Sequence, residues 1–250
     1  MIPNPIRKVL STFCRHEVQA LLIGGQACII YGASEFSRDS DFLIDPKAEN
    51  IRCTQDAFHS LNAEVIAVPP FEAHYLQRGH AVHFRCRHPE VQGLRVDLMS
   101  VLRGVDPFEI LWKRRKTIVQ ENGTIEVLNL TDLVKAKKTQ RDKDWPVLRR
   151  LLEADYIAEK NPSPEKVLFW LQECRTPEIL ARICRAYRPE AAVVALRRPA
   201  VAASMAGDFS ETADRLAQEE WEERKRDSDY WKPLRQELEK LRHQQNKDPL

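Results

Sequence analysis

An α+β fold, in which a small mixed β-sheet flanked by helices precedes a helical C-terminal lobe, is predicted by two observations. Strand-like and helix-like apolar patterns alternate as far as about residue 130. Beyond that point the strand signal stops, and prolines mark the starts of successive helical segments. The boundary is therefore placed at residue 130, giving a core over residues 1–130 and a helical lobe over 131–250.

The elements follow in chain order. Ile6, Val9, Leu10 and Phe13 recur at helical spacing between Pro5 and Glu17, and Val18 to Ile23 is a short apolar run stopped by Gly24-Gly25. This reads as helix, strand and turn. Gln26 to Tyr31 resumes a helical pattern with Gly32 as its C-terminal cap, and a polar loop leads to a second strand, Ser40 to Ile44. Ala48 to Leu61 is an amphipathic helix, and 63–68, 81–86 and 94–100 are strand-like. Pro107 to Arg115 is a short helix, followed by a hairpin over 117–120 and 124–128 that turns at Asn122-Gly123. From Thr131, a fair N-cap with Asp132 beside it, helices are expected over 132–144, 146–158, 164–173, 177–187, 189–196 and 210–243.

Composition excludes some classes. Hydrophobic content of 43% and charged content of 30% are those of an ordinary globular chain, and no apolar run approaches the ~20 residues of a membrane span. The first residues lack a basic region followed by an apolar core, so no secretory signal is read and the expectation is cytoplasmic. The six cysteines contain no Cys-x-x-Cys pair and read as small buried hydrophobes. A net charge of +2 conceals basic stretches at 113–116, 135–143 and 182–198 and an acidic one at 219–223. The stretch from Lys113 to Lys116 has two readings, a solvated helix end or a phosphate-contacting patch.

Three carboxylates carry the chemistry. Asp39 and Asp41 stand at i and i+2, which in a strand aims both at one spot, and Asp97 follows in Leu94-Arg95-Val96-Asp97-Leu98. There Leu94, Val96 and Leu98 alternate toward a core while Arg95, Asp97 and Met99 face the other way, and His83 of the preceding strand-like segment would line the cleft beside Asp97. Hard carboxylate oxygens suit a divalent cation such as Mg²⁺ that leaves room for substrate phosphates. The glycines upstream, which lack Cβ atoms, have two readings: a plain tight turn between strand and helix, or a turn that would let main-chain N–H groups face such phosphates.

The order Leu22-Ile23-Gly24-Gly25-Gln26-Ala27, Tyr31-Gly32, Ser37-Arg38-Asp39-Ser40-Asp41-Phe42-Leu43-Ile44 resembles the signature of the DNA polymerase β-like nucleotidyltransferase superfamily. The segment Leu130 to Asp144 resembles the basic segment of its abortive-infection toxin-like branch, whose members form type IV toxin–antitoxin pairs. The resemblance covers roughly residues 18–155. It departs at Glu35, where arginine is usual, and at Ser40, where an apolar residue is usual.

The resemblance implies a nucleotidyltransferase core that moves a nucleoside monophosphate from a triphosphate to an acceptor hydroxyl with Mg²⁺ or Mn²⁺. Asp39, Asp41 and Asp97 would be metal ligands and catalytic groups, Asp97 also taking the hydroxyl proton. Gly24, Gly25, Ser37, Lys137, Lys138, Arg141, Lys143 and Asp144 would bind nucleotide, the helix expected over 132–144 placing Lys137, Arg141 and Asp144 on one face. The acceptor would be RNA, including tRNA, or a protein, with a cognate antitoxin as partner and no membrane. The basic stretches, with Trp145 and Trp170 for stacking, favour RNA. The alternatives are an aminoglycoside-type small-molecule nucleotidyltransferase and a non-catalytic nucleic-acid- or partner-binding module on the same fold.

Overall fold

The computed structural model describes residues 4–34, 36–37, 39–120 and 123–247. Among them lie seven strands and twelve α-helices. In order these are α1 (Asn4–Arg15), β1 (Ala20–Ile23), α2 (Gly24–Ile30), β2 (Ser40–Ile44), α3 (Ala48–Ser60), β3 (Ala63–Val65), α4 (Ala73–Gln77), β4 (Val82–Cys86), β5 (Arg95–Met99), α5 (Phe108–Lys113), β6 (Lys116–Gln120) and β7 (Gly123–Val127). The remainder is helical: α6 (Leu130–Ala136), α7 (Asp144–Ala158), α8 (Pro164–Glu173), α9 (Pro177–Ala186), α10 (Arg188–Ala195), α11 (Pro199–Ala206) and α12 (Phe209–Lys247). No helix among the described residues is long and apolar enough to cross a membrane.

The strands form one mixed sheet in the order β3-β4-β5-β2-β1-β7-β6. β1 runs antiparallel to β2 and parallel to β7, and β2 runs parallel to β5. All four residues of β1 are buried, which is why a strand between two neighbours reads as an unbroken apolar run. The edges are blunted, β3 by its three-residue length and β6 by exposed polar positions beginning at Lys116. Phe13 of α1, Phe58 of α3 and Phe42 and Phe84 of the sheet pack as an aromatic cluster, Phe58 and Phe84 stacked at 4.1 Å.

The chain divides into two compact units: residues 1–30, 34–136 and 230–250 form the first, and residues 31–33 and 137–229 the second. α12 contributes to both. In the second unit Trp145 and Trp170 are buried core residues. Arg198 is buried there too, donating to the carbonyls of Leu171 and Cys174, both at 2.6 Å, and to Glu219. These buried donors remain paired, as burial requires.

Differences from the sequence reading have local causes. The helix expected over 132–144 is interrupted: α6 ends at Ala136 and α7 begins at Asp144. α11 was hidden in an Ala-rich stretch, and it ends on Gly207 in the left-handed conformation. α4 is one short turn pair with little periodicity to detect. The hairpin pairs Gln120 with Gly123, and Asn122, expected in its turn, lies outside the described residues. Of the cysteines, Cys28, Cys86, Cys174 and Cys184 are buried and Cys14 is exposed.

Candidate active site

The first unit gathers the glycine turn and the three aspartates around β1, β2 and β5. β1 delivers the chain to Gly24, whose φ of +63° only glycine adopts cheaply. A Cβ there would lie 2.6 Å from Asp41 Cγ, and one on Gly25 would lie 2.7 Å from Ser37 Cβ. Each glycine is therefore a close-approach position: the turn is pressed against the Asp41 carboxylate on one side and Ser37 on the other. Gln26, fully buried, donates to the Ser37 carbonyl at 2.9 Å and so ties the loop before β2 to the start of α2. Ser37 Oγ donates to the Asp39 carbonyl at 3.2 Å.

Register brings the carboxylates together. Asp41 is opposite Ile23 of β1 and opposite Asp97 of the parallel strand β5, and Asp39 stands immediately before β2. Asp97 is also opposite His83 of β4. Glu35 and Arg38, the departure from the family pattern and its neighbour, lie outside the described residues.

Asp97 is buried rather than solvated. Its Oδ1 accepts from Arg95 Nε at 2.8 Å and its Oδ2 from Arg95 Nη2 at 3.0 Å, a bidentate clasp. His83 Nδ1 stands 2.9 Å from Asp97 Oδ1 and 3.0 Å from Arg95 Nη2. That nitrogen serves one partner at a time: as acceptor it takes the Arg95 N–H, and as donor it gives its own N–H to Asp97. Burial pushes the Asp97 carboxyl up, but hydrogen bonds from His83 and Arg95 outweigh it and hold the group below its ordinary value. The Asp97 hydrogen bond raises the Arg95 pKa, burial opposes, and the negative charges of Asp97, Asp39 and Asp41 add to the rise. One guanidinium thus feels all three carboxylates.

The donor set has the hard-oxygen chemistry of an Mg²⁺ or Mn²⁺ site. In this arrangement, though, no three His, Cys, Asp or Glu side chains among the described residues are grouped so as to hold a metal ion. The carboxylate that would share a cation is clasped by Arg95 instead. Arg95 is the site residue that sequence reasoning missed; its position two residues before Asp97, on the same strand face, was the available signal.

The remaining candidates are in the second unit. The helix that was to put Lys137, Arg141 and Asp144 on one face is absent there, yet all three meet. Lys137 Nζ is 3.0 Å from Asp144 Oδ1, and Arg141 Nε and Thr139 Oγ1 reach Asp144 Oδ2 at 2.7 and 2.6 Å. The same bonds explain the missing helix. Thr139 Oγ1 accepts from the Arg141 N–H, the Thr139 carbonyl accepts from Trp145 Nε1, and Asp227 accepts from the Gln140 N–H. Side chains have taken the backbone partners a helix would use. Lys138 pairs with Glu173 at 2.6 Å, and Lys143 precedes α7.

Several supports for an RNA surface are structural instead. Trp145 and Trp170 are buried and cannot stack on a base. Arg114 is bound by Asp132 and Asp106, Arg115 lies 4.1 Å over the Trp112 ring and bonds Glu126, and Arg198 is internal. The stretch 113–116 therefore has its arginines spent on neighbours. No protein-family model and no curated protein matches this chain.

Proposed function

We propose that the first unit is a nucleotidyltransferase core that moves a nucleoside monophosphate from a nucleoside triphosphate to an acceptor hydroxyl. One observation carries this reading: the Gly24-Gly25 turn is pressed against Asp41 and Ser37 while Asp41 and Asp97 lie in register on adjacent parallel strands. A tight glycine turn opening a helix beside paired carboxylates is an arrangement suited to triphosphate chemistry.

Asp39, Asp41 and Asp97 would hold Mg²⁺ or Mn²⁺, which when bound would neutralise the triphosphate and the developing charge on the leaving pyrophosphate. The protein's own parts then divide the work. Main-chain N–H groups of Gly24 and Gly25, with Ser37 Oγ, bind phosphate oxygens. Asp97, kept ionised at neutral pH, accepts the proton of the attacking hydroxyl. An RNA or protein acceptor, a cognate antitoxin and a cytoplasmic setting belong to the same proposal.

The chain incubated with each α-labelled nucleoside triphosphate, Mg²⁺ or Mn²⁺, and total RNA should transfer label to RNA or to protein. Asp39→Ala and Asp41→Ala should abolish transfer while circular dichroism stays unchanged. Wild-type transfer by either variant would defeat the reading. A second reading, a non-catalytic binding module on this fold, is favoured by the clasp of Arg95 on Asp97, and absence of transfer with every nucleotide would select it.

A further inference from the structure

Gln26 is a fully buried amide bonded at one end. Its Nε2 donates to the Ser37 carbonyl at 2.9 Å, whereas its Oε1 has no hydrogen-bond partner among the described residues. A buried acceptor without a partner is costly, and an apolar side chain of similar volume avoids that cost. The amide therefore gives the core little, and its effect lies in the loop it holds. We propose that Gln26 is a positioning residue for nucleotide binding, acting by fixing Ser37 against the glycine turn. This inference rests on the nucleotidyltransferase reading of that turn.

The held loop is an excursion. Residues 31–33 belong to the second compact unit, and the chain rejoins the first at residue 34, a few residues before β2. The bonds from Ser34 Oγ to the Phe36 carbonyl and from Ser37 Oγ to the Asp39 carbonyl, at 3.3 and 3.2 Å, stay within the returning stretch. The bond from Gln26 comes from α2, across 11 residues of sequence, and so sets where that stretch lies. Its target is the residue beside the turn. A Cβ on Gly25 would stand 2.4 Å from Ser37 Oγ, so the hydroxyl lies directly against the main-chain N–H groups that the reading assigns to phosphate. Without the amide, the carbonyl of half-buried Ser37 can take water instead, and the core is undisturbed while the hydroxyl is no longer fixed.

Gln26→Met and Gln26→Leu remove the amide and keep most of its bulk. Each should unfold thermally at or above the wild-type temperature. Calorimetric titration with ATP, GTP, CTP and UTP in turn, each with Mg²⁺, should nevertheless show about tenfold weaker binding of whichever nucleotide wild type binds, the effect of one lost hydrogen bond. Ser37→Ala should weaken binding too, and Gln26→Met should add nothing to it in the double variant, since both changes remove the same contact. Failure of both Gln26 variants to fold, or melting below wild type in both, makes the amide part of the core and overturns the proposal. Unchanged affinity, or losses that add in the double variant, overturns it as well and leaves the nucleotidyltransferase reading standing. No binding of any of these nucleotides by wild type overturns both.

Discussion

Asp97 and Asp144 are buried carboxylates, and both are held below the ordinary value of 3.8, yet their surroundings differ. At Asp97 one arginine of the same strand clasps both oxygens, with His83 beside it. At Asp144 two cations and a hydroxyl serve one aspartate, which is satisfied on both oxygens. The first lies on a strand whose parallel neighbour places Asp41 directly opposite it; the second is satisfied by its own segment and shapes the chain, turning what would be a helix into the loop of residues 137–143. A buried carboxylate with bound cations therefore does not identify a function. What stands beside it does.

The comparison breaks most visibly at Asp144. Removing Asp144 leaves its buried partner Lys137 facing the interior alone, so Asp144→Ala should cost about 3–5 kcal/mol in denaturant unfolding. A loss below about 1 kcal/mol would make this cluster an ordinary surface ion pair and remove the contrast. Asp97→Asn should behave differently. It keeps the shape, so stability changes less, but an amide cannot accept a proton, and the single-turnover rate should fall far more than nucleotide affinity. Equal modest losses in both would make Asp97 a supporting group.

Gly24→Ala comes next. The left-handed backbone and the overlap with the Asp41 carboxylate should together cost about 2 kcal/mol, measured by thermal unfolding. Gly25→Ala overlaps only the Ser37 side chain, so Ser37→Gly should restore much of its loss. Without that rescue, the turn is pressed on something other than Ser37.

Acid separates the two carboxylates by a smaller margin. A carboxyl whose folded pKa is lowered contributes stability that is fully present above its unfolded value and is lost as pH falls through the folded one. For Asp97 and Asp144 the loss therefore lies below about pH 4. Asp144→Asn should flatten the stability profile in that window, since the asparagine has no proton to take up. A profile as steep as wild type would show that other carboxylates drive acid unfolding.

How much of this was legible follows the range of the interactions. The glycine turn, β1, β2 and the strand positions of Asp41 and Asp97 were readable because strand alternation and turn chemistry are local. The clasp of Arg95 on Asp97 was not read, although both residues lie on one strand face, because a charged residue beside a carboxylate looks the same whether solvated or buried. The loop at 137–143 was unreadable for a different reason: it depends on Asp227, distant in sequence, accepting from Gln140. Trp145 and Trp170 looked available for stacking because a tryptophan's burial is decided by tertiary packing, which no local pattern displays.

Ser40 provides the smallest and most pointed test. It stands between Asp39 and Asp41, fully buried, and its Oγ has no hydrogen-bond partner among the described residues. The aspartates on either side face the site, so strand alternation turns Ser40 into the core, where a hydroxyl gives up its water. The Asp144 cluster wastes no such group. Ser40→Ala removes the unpaired oxygen and leaves only a small space, so stability should rise by about 1 kcal/mol. Transfer activity should stay at the wild-type level, because the side chain points away from the carboxylates. A fall in stability would reveal a partner for the hydroxyl. A fall in activity at unchanged stability would mean that the spacing of Asp39 and Asp41 depends on what lies beneath them, and that the two faces of β2 are less separate than alternation makes them.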